Sequence, residues 1–263
     1  HNLNLWLKTR KVVLKRKIFA TRNTTNLKED ILGTALLDYQ QGNYSEDITT
    51  YSSLDEEDQL PLPYMFRSFK DMPKLEQKAL KICQGEILDV GCGAGSHSLY
   101  LQNKGLSVTS LDTSLGAIEV SKQRGLKNTI NENLFTYKGK TFDTILILMN
   151  GVGLAGTFNG LEKFFAKLKS LLKTDGQILL DSSDIIYMFE NDEDGGYWIP
   201  EDLNYYGEVS FSMEYKNKKS ETFPWLYVDY NTLQRAANYS NLKCELVMEG
   251  EHYDYLAKLT HAK

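Results

Sequence analysis

The stretch Glu86-Ile-Leu-Asp-Val-Gly-Cys-Gly-Ala-Gly-Ser96 constrains this chain more than any other. Ile87 to Val90 are apolar except for Asp89. Gly91, Gly93 and Gly95 follow at alternate positions, and Ser98-Leu99-Tyr100-Leu101 then resumes with helical spacing. That order predicts a buried strand, a tight loop and a helix start. Glycines lack the Cβ that would keep the backbone from turning sharply and coming close to a ligand. A helix N-terminus beyond them offers free N–H groups. In an open α/β sheet, a loop at the carboxyl end of such a strand is where nucleotides bind. The spacing excludes the dinucleotide fingerprint G-x-G-x-x-G, whose third glycine would fall at Ser96 or Ser98. A carboxylate at Asp89 would repel a pyrophosphate and suit a cationic amino-acid moiety.

The following segments keep an α/β rhythm. A helix over 96–103 stops at Gly105, and strand 107–111 ends at Asp112, 19 residues past Gly93. A carboxylate at that distance is placed to hold ribose hydroxyls, a reading favoured over capping of the helix predicted over 114–124 because strand, carboxylate and distance coincide. Asn128-Thr129-Ile130 is a weak strand. Phe142–Met149 is an apolar run suited to a central parallel strand buried on both faces. It ends in the flexible Asn150-Gly-Val-Gly-Leu-Ala-Gly156. An amphipathic helix from Leu161 and a strand at 177–181 come next, and residues 182–189 have the composition of a short helix. A hairpin is expected from 208–215 and 221–228. A helix over 231–241 and strands near 243–250 and 254–260 close the chain. Before the glycine loop, 29–41 and 73–83 read as helices. The acidic tract 42–60 reads as a solvated loop, and prolines at 61, 63 and 73 impose turns.

With its elements in this order, the chain resembles the class I S-adenosylmethionine (SAM)-dependent methyltransferases, whose first motif stands here as LDVGCGAGS. The resemblance covers about 80–262, and LLKTDGQILLD matches another family element. It implies a Rossmann-like α/β fold with a seven-stranded mixed sheet, the last strand inserted antiparallel. A helical cap at 29–79 and a hairpin inserted at 182–230 would flank that domain, and 1–28 would be a basic extension. The resemblance also implies SAM as cofactor. Asp89, Gly91, Cys92 and Gly93 would lie at its amino-acid end and Asp112 and Thr113 at the ribose. Asn133 and Leu134, with Glu132 as the alternative, would meet the adenine. Met149, Asn150 and Gly151 would face the sulfonium. Tyr64 and Arg67 resemble residues that cap SAM in small-molecule methyltransferases, and Arg67 could pair with its carboxylate.

Methyl transfer from a sulfonium needs alignment more than a dedicated base, and no catalytic residue stands out. His252 and Tyr187 are the candidates for general base or acceptor contact. His97 is expected at the surface or beside the cofactor. The acceptor site must come from Tyr64–Arg67 and from the aromatic insertion, which includes Trp198, Tyr205, Tyr206, Trp225 and Tyr227. The same aromatics could pack a lid or a homodimer face.

Charge narrows the partners. The net charge of −5 hides eight basic and no acidic residues in 1–28, leaving 22 basic and 35 acidic residues, or −13, in 29–263. An acidic body disfavours a nucleic-acid partner and favours a small-molecule acceptor. Residues 1–28 hold no apolar run near the length of a membrane span and no long secretory apolar segment. They could instead form a membrane-surface helix or pack as an extension. Three cysteines without C-x-x-C spacing suggest a reducing cytoplasm. Four scattered histidines make a metal site improbable, as does the incomplete calcium-loop pattern at 191–196. The other readings are a non-catalytic SAM-binding protein, an NAD-dependent oxidoreductase, which the glycine spacing opposes, and aminopropyl transfer on the same fold.

Overall fold

The computed structural model describes residues 30–190, 195–200 and 203–262. The basic segment 1–28 and most of the acidic turn at 191–196 lie outside the described residues. In chain order the elements are α1 (Ile31–Gln40), β1 (Ile48–Ser52), β2 (Glu57–Leu60), α2 (Leu62–Met65), α3 (Lys74–Ile82), β3 (Glu86–Val90), α4 (Ser96–Asn103), β4 (Ser107–Asp112), α5 (Leu115–Gln123), β5 (Thr129–Asn131) and β6 (Phe142–Ile147). They continue with α6 (Leu161–Leu171), β7 (Leu172–Ser183), β8 (Glu208–Tyr215), β9 (Lys218–Lys219), β10 (Phe223–Leu226), α7 (Tyr230–Tyr239), β11 (Leu242–Glu249) and β12 (Asp254–His261).

The main sheet has seven strands in the order β11-β12-β7-β6-β3-β4-β5. Strands β7 to β5 are parallel, and β12 enters antiparallel between β7 and β11. This is the expected seven-stranded mixed sheet. Its central strands are apolar on both faces because neighbouring residues point to opposite sides. Leu88, Ile145, Ile147, Ile178 and Leu180 pack with Phe164, Phe165 and Leu168 of α6 and Leu233 of α7. The alternate residues Ile87, Leu146, Leu179 and Leu256 pack with Leu75, Ala79 and Leu80 of α3 and Leu101 of α4.

The cap departs from expectation. It is not purely helical, and its acidic tract is not a loop: β1 and β2 form a hairpin around a turn at Asp55. Strand β1 pairs antiparallel with β8, which pairs with β10 and β9, giving a second sheet of five strands. The inserted hairpin is therefore present, but it continues the cap rather than standing apart. The 182–189 stretch extends β7 to Ser183 and adds only a single turn of 3₁₀ helix at Ile186–Met188. Strand β2 is mostly exposed and carries no alternating apolar pattern, so pairing with distant segments decides its conformation and propensity does not.

Two polar contacts hold this second layer. The Tyr215 hydroxyl on β8 donates to Asp38 on α1 at 3.0 Å, and Lys216 pairs with the same carboxylate at 2.7 Å. At the other end of α1, Asp30 is buried and caps the helix by accepting from the Gly33 N–H at 2.8 Å. Its second oxygen accepts from the Ser114 hydroxyl at 2.8 Å and the Gly116 N–H at 3.0 Å, at the start of α5. One carboxylate thus starts α1 and docks the cap against the main domain. Asp30→Ala removes the cap and orphans two buried donors, so it should cost about 2–4 kcal/mol. Urea unfolding measures this. A loss below about 0.5 kcal/mol would mean that the cap docks by apolar contact alone.

Candidate functional site

The glycine loop turns as its sequence requires. Gly91 (φ +72°), Gly93 (φ +52°) and Gly95 (φ +82°) are all left-handed. A Cβ on Gly91 would meet nothing within 4 Å, because that side of the backbone opens into a cavity. This cavity of about 420 Å³ lies at the carboxyl edge of the main sheet. Eleven of the thirteen expected cofactor-binding residues line it: Arg67, Asp89, Gly91, Cys92, Gly93, Asp112, Thr113, Asn133, Leu134, Met149 and Gly151. Glu132 and His97 line it too.

Asp112 closes the loop. It is buried, and its oxygens accept from the Gly93 N–H at 2.9 Å and the Ser114 N–H at 2.8 Å. Burial pushes its carboxyl up to about 6, against the lowering effect of those two N–H donors. The N-cap of α5 is Ser114, whose hydroxyl accepts from the Ala117 N–H at 2.9 Å. Asp112 is therefore not the N-cap of α5; it lines the cavity with one N–H donor on each oxygen. Asp89 is also buried and accepts from the Ser98 hydroxyl at 2.6 Å, which in turn accepts from Ser110 at 2.7 Å. Burial raises its pKa as well. The Cys92 thiol is pushed well above its usual value by burial, so it lines the cavity as an apolar group.

Asn133 has already committed its side-chain oxygen at 2.8 Å to the Phe135 N–H, forming a local turn. Glu132, beside it in the cavity wall, makes no side-chain hydrogen bond among the described residues. The alternative at this end of the cavity is thus the less committed group.

Two expected residues do not reach the cavity. Tyr64 is 36% exposed and lies under the Arg67 guanidinium at 3.9 Å, so it supports that side chain rather than facing a ligand. The Asn150 side chain is consumed by structure: it donates to the Leu226 carbonyl at 3.1 Å and accepts from the Ser182 hydroxyl at 2.8 Å. His252 is a further correction. It is exposed in the turn between β11 and β12 and lines neither this cavity nor the one described below, because its N–H is folded back onto Asp254 at 3.0 Å. Tyr187 is 53% exposed, stacks on Tyr253 with ring centres 4.9 Å apart, and lines the second cavity.

Sequence reasoning missed two supports. Asp181, at the end of β7's apolar run, accepts from the Met149 N–H at 3.1 Å and the Gly151 N–H at 2.9 Å. Burial lifts its carboxyl to about 6. Met149 (φ +67°) and Asn150 (φ +55°) are both left-handed, and this carboxylate holds that strained pair at the cavity edge. Glu76 on α3 is the second. Its oxygens each lie 2.5 Å from Arg67 Nη2, and one also lies 2.8 Å from His97 Nε2. All three side chains are buried. Burial pushes Glu76 up, but His97 and Arg67 together more than offset it and hold the carboxyl below its usual range. Arg67 also donates to the Tyr64 carbonyl at 2.6 Å, and its Nε has no partner among the described residues. A residue expected at the surface or beside the cofactor, His97, is therefore part of a buried charged group in the cavity wall. A Glu and a His 21 residues apart on different helices carry no local signal of this.

A second cavity of about 720 Å³ lies beneath the five-stranded sheet and shares Leu60, Met213 and Trp225 with the first. Trp225 sits against Gly153, where a Cβ would fall 2.0 Å from its ring.

The residues of the first cavity fit SAM: an open glycine cradle, a buried carboxylate with free lone pairs, and a buried arginine with one unpaired N–H. Known proteins agree. A model of the methyltransferase domain matches residues 88–180. The crystal structure of a SAM-dependent methyltransferase from Bacteroides fragilis, in complex with S-adenosyl-L-homocysteine, is 43% identical. It aligns over 91% of this chain and 98% of that chain with a TM-score of 0.84. The chain belongs to the class I SAM-dependent methyltransferases. SAM is the methyl donor of this family. A provisionally named methyltransferase of Geobacillus sp. is 32% identical over 101 residues, 36% of this chain and 41% of the relative. The methyltransferase described here thus spans about two fifths of the length of that curated relative. Streptomyces venezuelae DesVI, 16% identical, shares the fold over 76% of this chain and 96% of its own, with a TM-score of 0.56. No helix among the described residues is long and apolar enough to cross a membrane.

Removing one partner of a buried charged group strands the others. Glu76→Ala should therefore destabilise this methyltransferase by about 3–5 kcal/mol in urea unfolding at neutral pH. The lowered pKa fixes the sign with pH: the stabilisation is present above the ordinary carboxyl value of 4.5 and is lost as pH falls through the depressed folded value. A Glu76→Ala cost that stayed constant down to pH 3 would contradict the assignment.

Proposed function

We propose that this protein transfers the methyl group of SAM to an O or N atom of a small organic acceptor. The observation that carries this reading is the junction of the two cavities at Leu60, Met213 and Trp225. One cavity has the residues of a donor site. The other is a separate space, large enough for a small molecule, that meets the first at those three residues. The sulfonium supplies an activated methyl when SAM is bound. The protein's part is to orient, to exclude water and to align.

Asp112 is read as the ribose ligand and Glu132 or Asn133 as the polar contact for adenine, with Leu134 against the ring. Asp89 and Gly91 to Gly93 would hold the amino-acid end. Arg67 is read as the partner of the carboxylate through its unpaired Nε, with Glu76 fixing its plane. Asp181 acts through backbone: it holds Met149 and Gly151 at the edge where donor and acceptor would meet. Trp225 and Met213 present an apolar wall there and keep water away from the transfer.

The rim of the second cavity carries Glu56, Glu57 and Asp58. That charge supports a small molecule over a nucleic acid, whose phosphates it would repel. The three cysteines are buried free thiols, in keeping with a reducing cytoplasm.

Release of S-adenosyl-L-homocysteine from SAM in the presence of a metabolite panel tests the function. Turnover with small acceptors is expected. SAM binding with no turnover on any panel member would favour a binding protein instead. Asp112→Ala should weaken SAM binding at least about tenfold by calorimetry, since paired hydrogen bonds are lost. Unchanged affinity would sink the ribose assignment. The pH dependence has a defined sign. Protonation replaces a lone pair by a donor facing the ribose hydroxyls, so SAM affinity should be flat above pH 6 and fall as pH drops through about 6. Without SAM the sign reverses: the raised pKa makes the buried, ionised Asp112 a cost to stability above about 6 that disappears below the ordinary value of 3.8.

A further inference from the structure

The second cavity has an unusual wall. Its aromatic residues are Tyr187, Phe211, Phe223, Trp225 and Tyr227. Its charged residues are Glu56, Glu57 and Asp58, and no lysine, arginine or histidine among the described residues lines it. None of the three carboxylates takes part in an ion pair among the described residues. The nearby cations are turned to other work: Lys219 lies over the Tyr51 ring at 4.0 Å and Lys216 pairs with Asp38.

Tyr227 adds a polar group of a different kind. Its hydroxyl makes no hydrogen bond among the described residues, whereas Tyr205, Tyr206 and Tyr255 all donate to oxygens nearby. Burial raises its pKa to about 12, with the neighbouring Asp181 and Tyr187 adding to the shift, so it stays protonated. It lies on the same chain segment as Trp225, at the junction with the donor cavity. It is a hydrogen-bonding group facing the space where the acceptor would sit.

From the aromatic faces, the unpaired carboxylates and the free Tyr227 hydroxyl, we propose that the second cavity selects a primary or secondary amine carried on a flat apolar body. The inference rests on the methyltransferase reading above and names the acceptor class. An ammonium gains from aromatic faces and from the negative rim. A carboxylate acceptor would be repelled by that rim. A hydroxyl acceptor would need a strong general base, and among the described residues the cavity wall offers only three exposed rim carboxylates of ordinary weak basicity and a tyrosine that remains protonated.

An amine needs only to lose one proton to water before reaction. Its nitrogen lone pair then forms the bond to the methyl carbon while the carbon–sulfur bond breaks, its electron pair going to sulfur. Ammonium and SAM thus give methylammonium, S-adenosyl-L-homocysteine and one proton. The negative rim draws the ammonium in, and water takes its proton before the neutral amine reaches the junction with the first cavity.

Three matched probes test the class: 2-phenylethylamine, 2-phenylethanol and 3-phenylpropionate. Two readouts are taken, S-adenosyl-L-homocysteine release and binding to protein loaded with S-adenosyl-L-homocysteine. The amine is expected to exceed both others by about tenfold in at least one readout. Replacing Glu56, Glu57 and Asp58 together by Gln, Gln and Asn should lower that amine preference about tenfold. Tyr227→Phe should lower amine binding or kcat/KM by about fivefold or more. SAM affinity should be unchanged in both variants. Asp55→Asn, which removes a neighbouring charge outside the cavity, should change nothing. An alcohol or acid that equals the amine, no preference in either readout, or an amine preference untouched by the rim variant would overturn the proposal. Absence of SAM binding to the wild-type protein would instead remove the underlying reading, so the two failures are distinguishable.

Discussion

The carboxylate of Asp112 must be buried and yet remain available. It sits at the end of β4, where the chain leaves the sheet, and it ties the glycine loop to the start of α5 through two backbone N–H groups. Those bonds compensate part of the cost of burial but do not abolish it, which is why its proton affinity rises. The same trade recurs along this edge. Asp89 is satisfied by Ser98, and Asp181 by the loop after β6. Two of these carboxylates, Asp112 and Asp181, tie loop backbone at the carboxyl ends of parallel strands, and Asp89 ties the end of β3 to α4. The donor cavity is the space between them, and its shape depends on these ties more than on any apolar contact.

A second constraint shapes the second cavity. The cap and the insertion, 160 residues apart in sequence, pair as one antiparallel sheet through β1 and β8. Asp30 and Asp38 pin that sheet to the main domain. Trp225, lodged against Gly153, fixes the sheet's position over the reacting edge. Cap and insertion therefore line the second cavity together, and Leu60, Met213 and Trp225 line both cavities.

The core of this arrangement was readable from residue order. Strands β3, β4, β6 and β7 announce themselves by apolar runs that end in Asp or Gly, and the helices between them by their spacing. Most of the residues that line the first cavity follow from the same motifs. The second sheet was not readable, because β1 and β2 bury one side only in part and are specified by pairing with β8 rather than by their own pattern. The Arg67–Glu76–His97 group was hidden for a related reason: its members sit on three elements and meet only when the cap closes on α3 and α4. Tyr64 and Asn150 fall outside the lining of the first cavity because a side chain near a site can be spent on its neighbours, and sequence does not show which. His252 lies at the correct edge of the sheet but on a turn that projects past it.

The central claim is that donor and acceptor meet at Leu60, Met213 and Trp225. A crystal structure with S-adenosyl-L-homocysteine bound tests it most directly. The account predicts ribose hydroxyls on Asp112 and the sulfur directed toward Trp225 and the second cavity. A sulfur directed away from that junction, or a ribose that leaves Asp112 without a ligand contact, would contradict it.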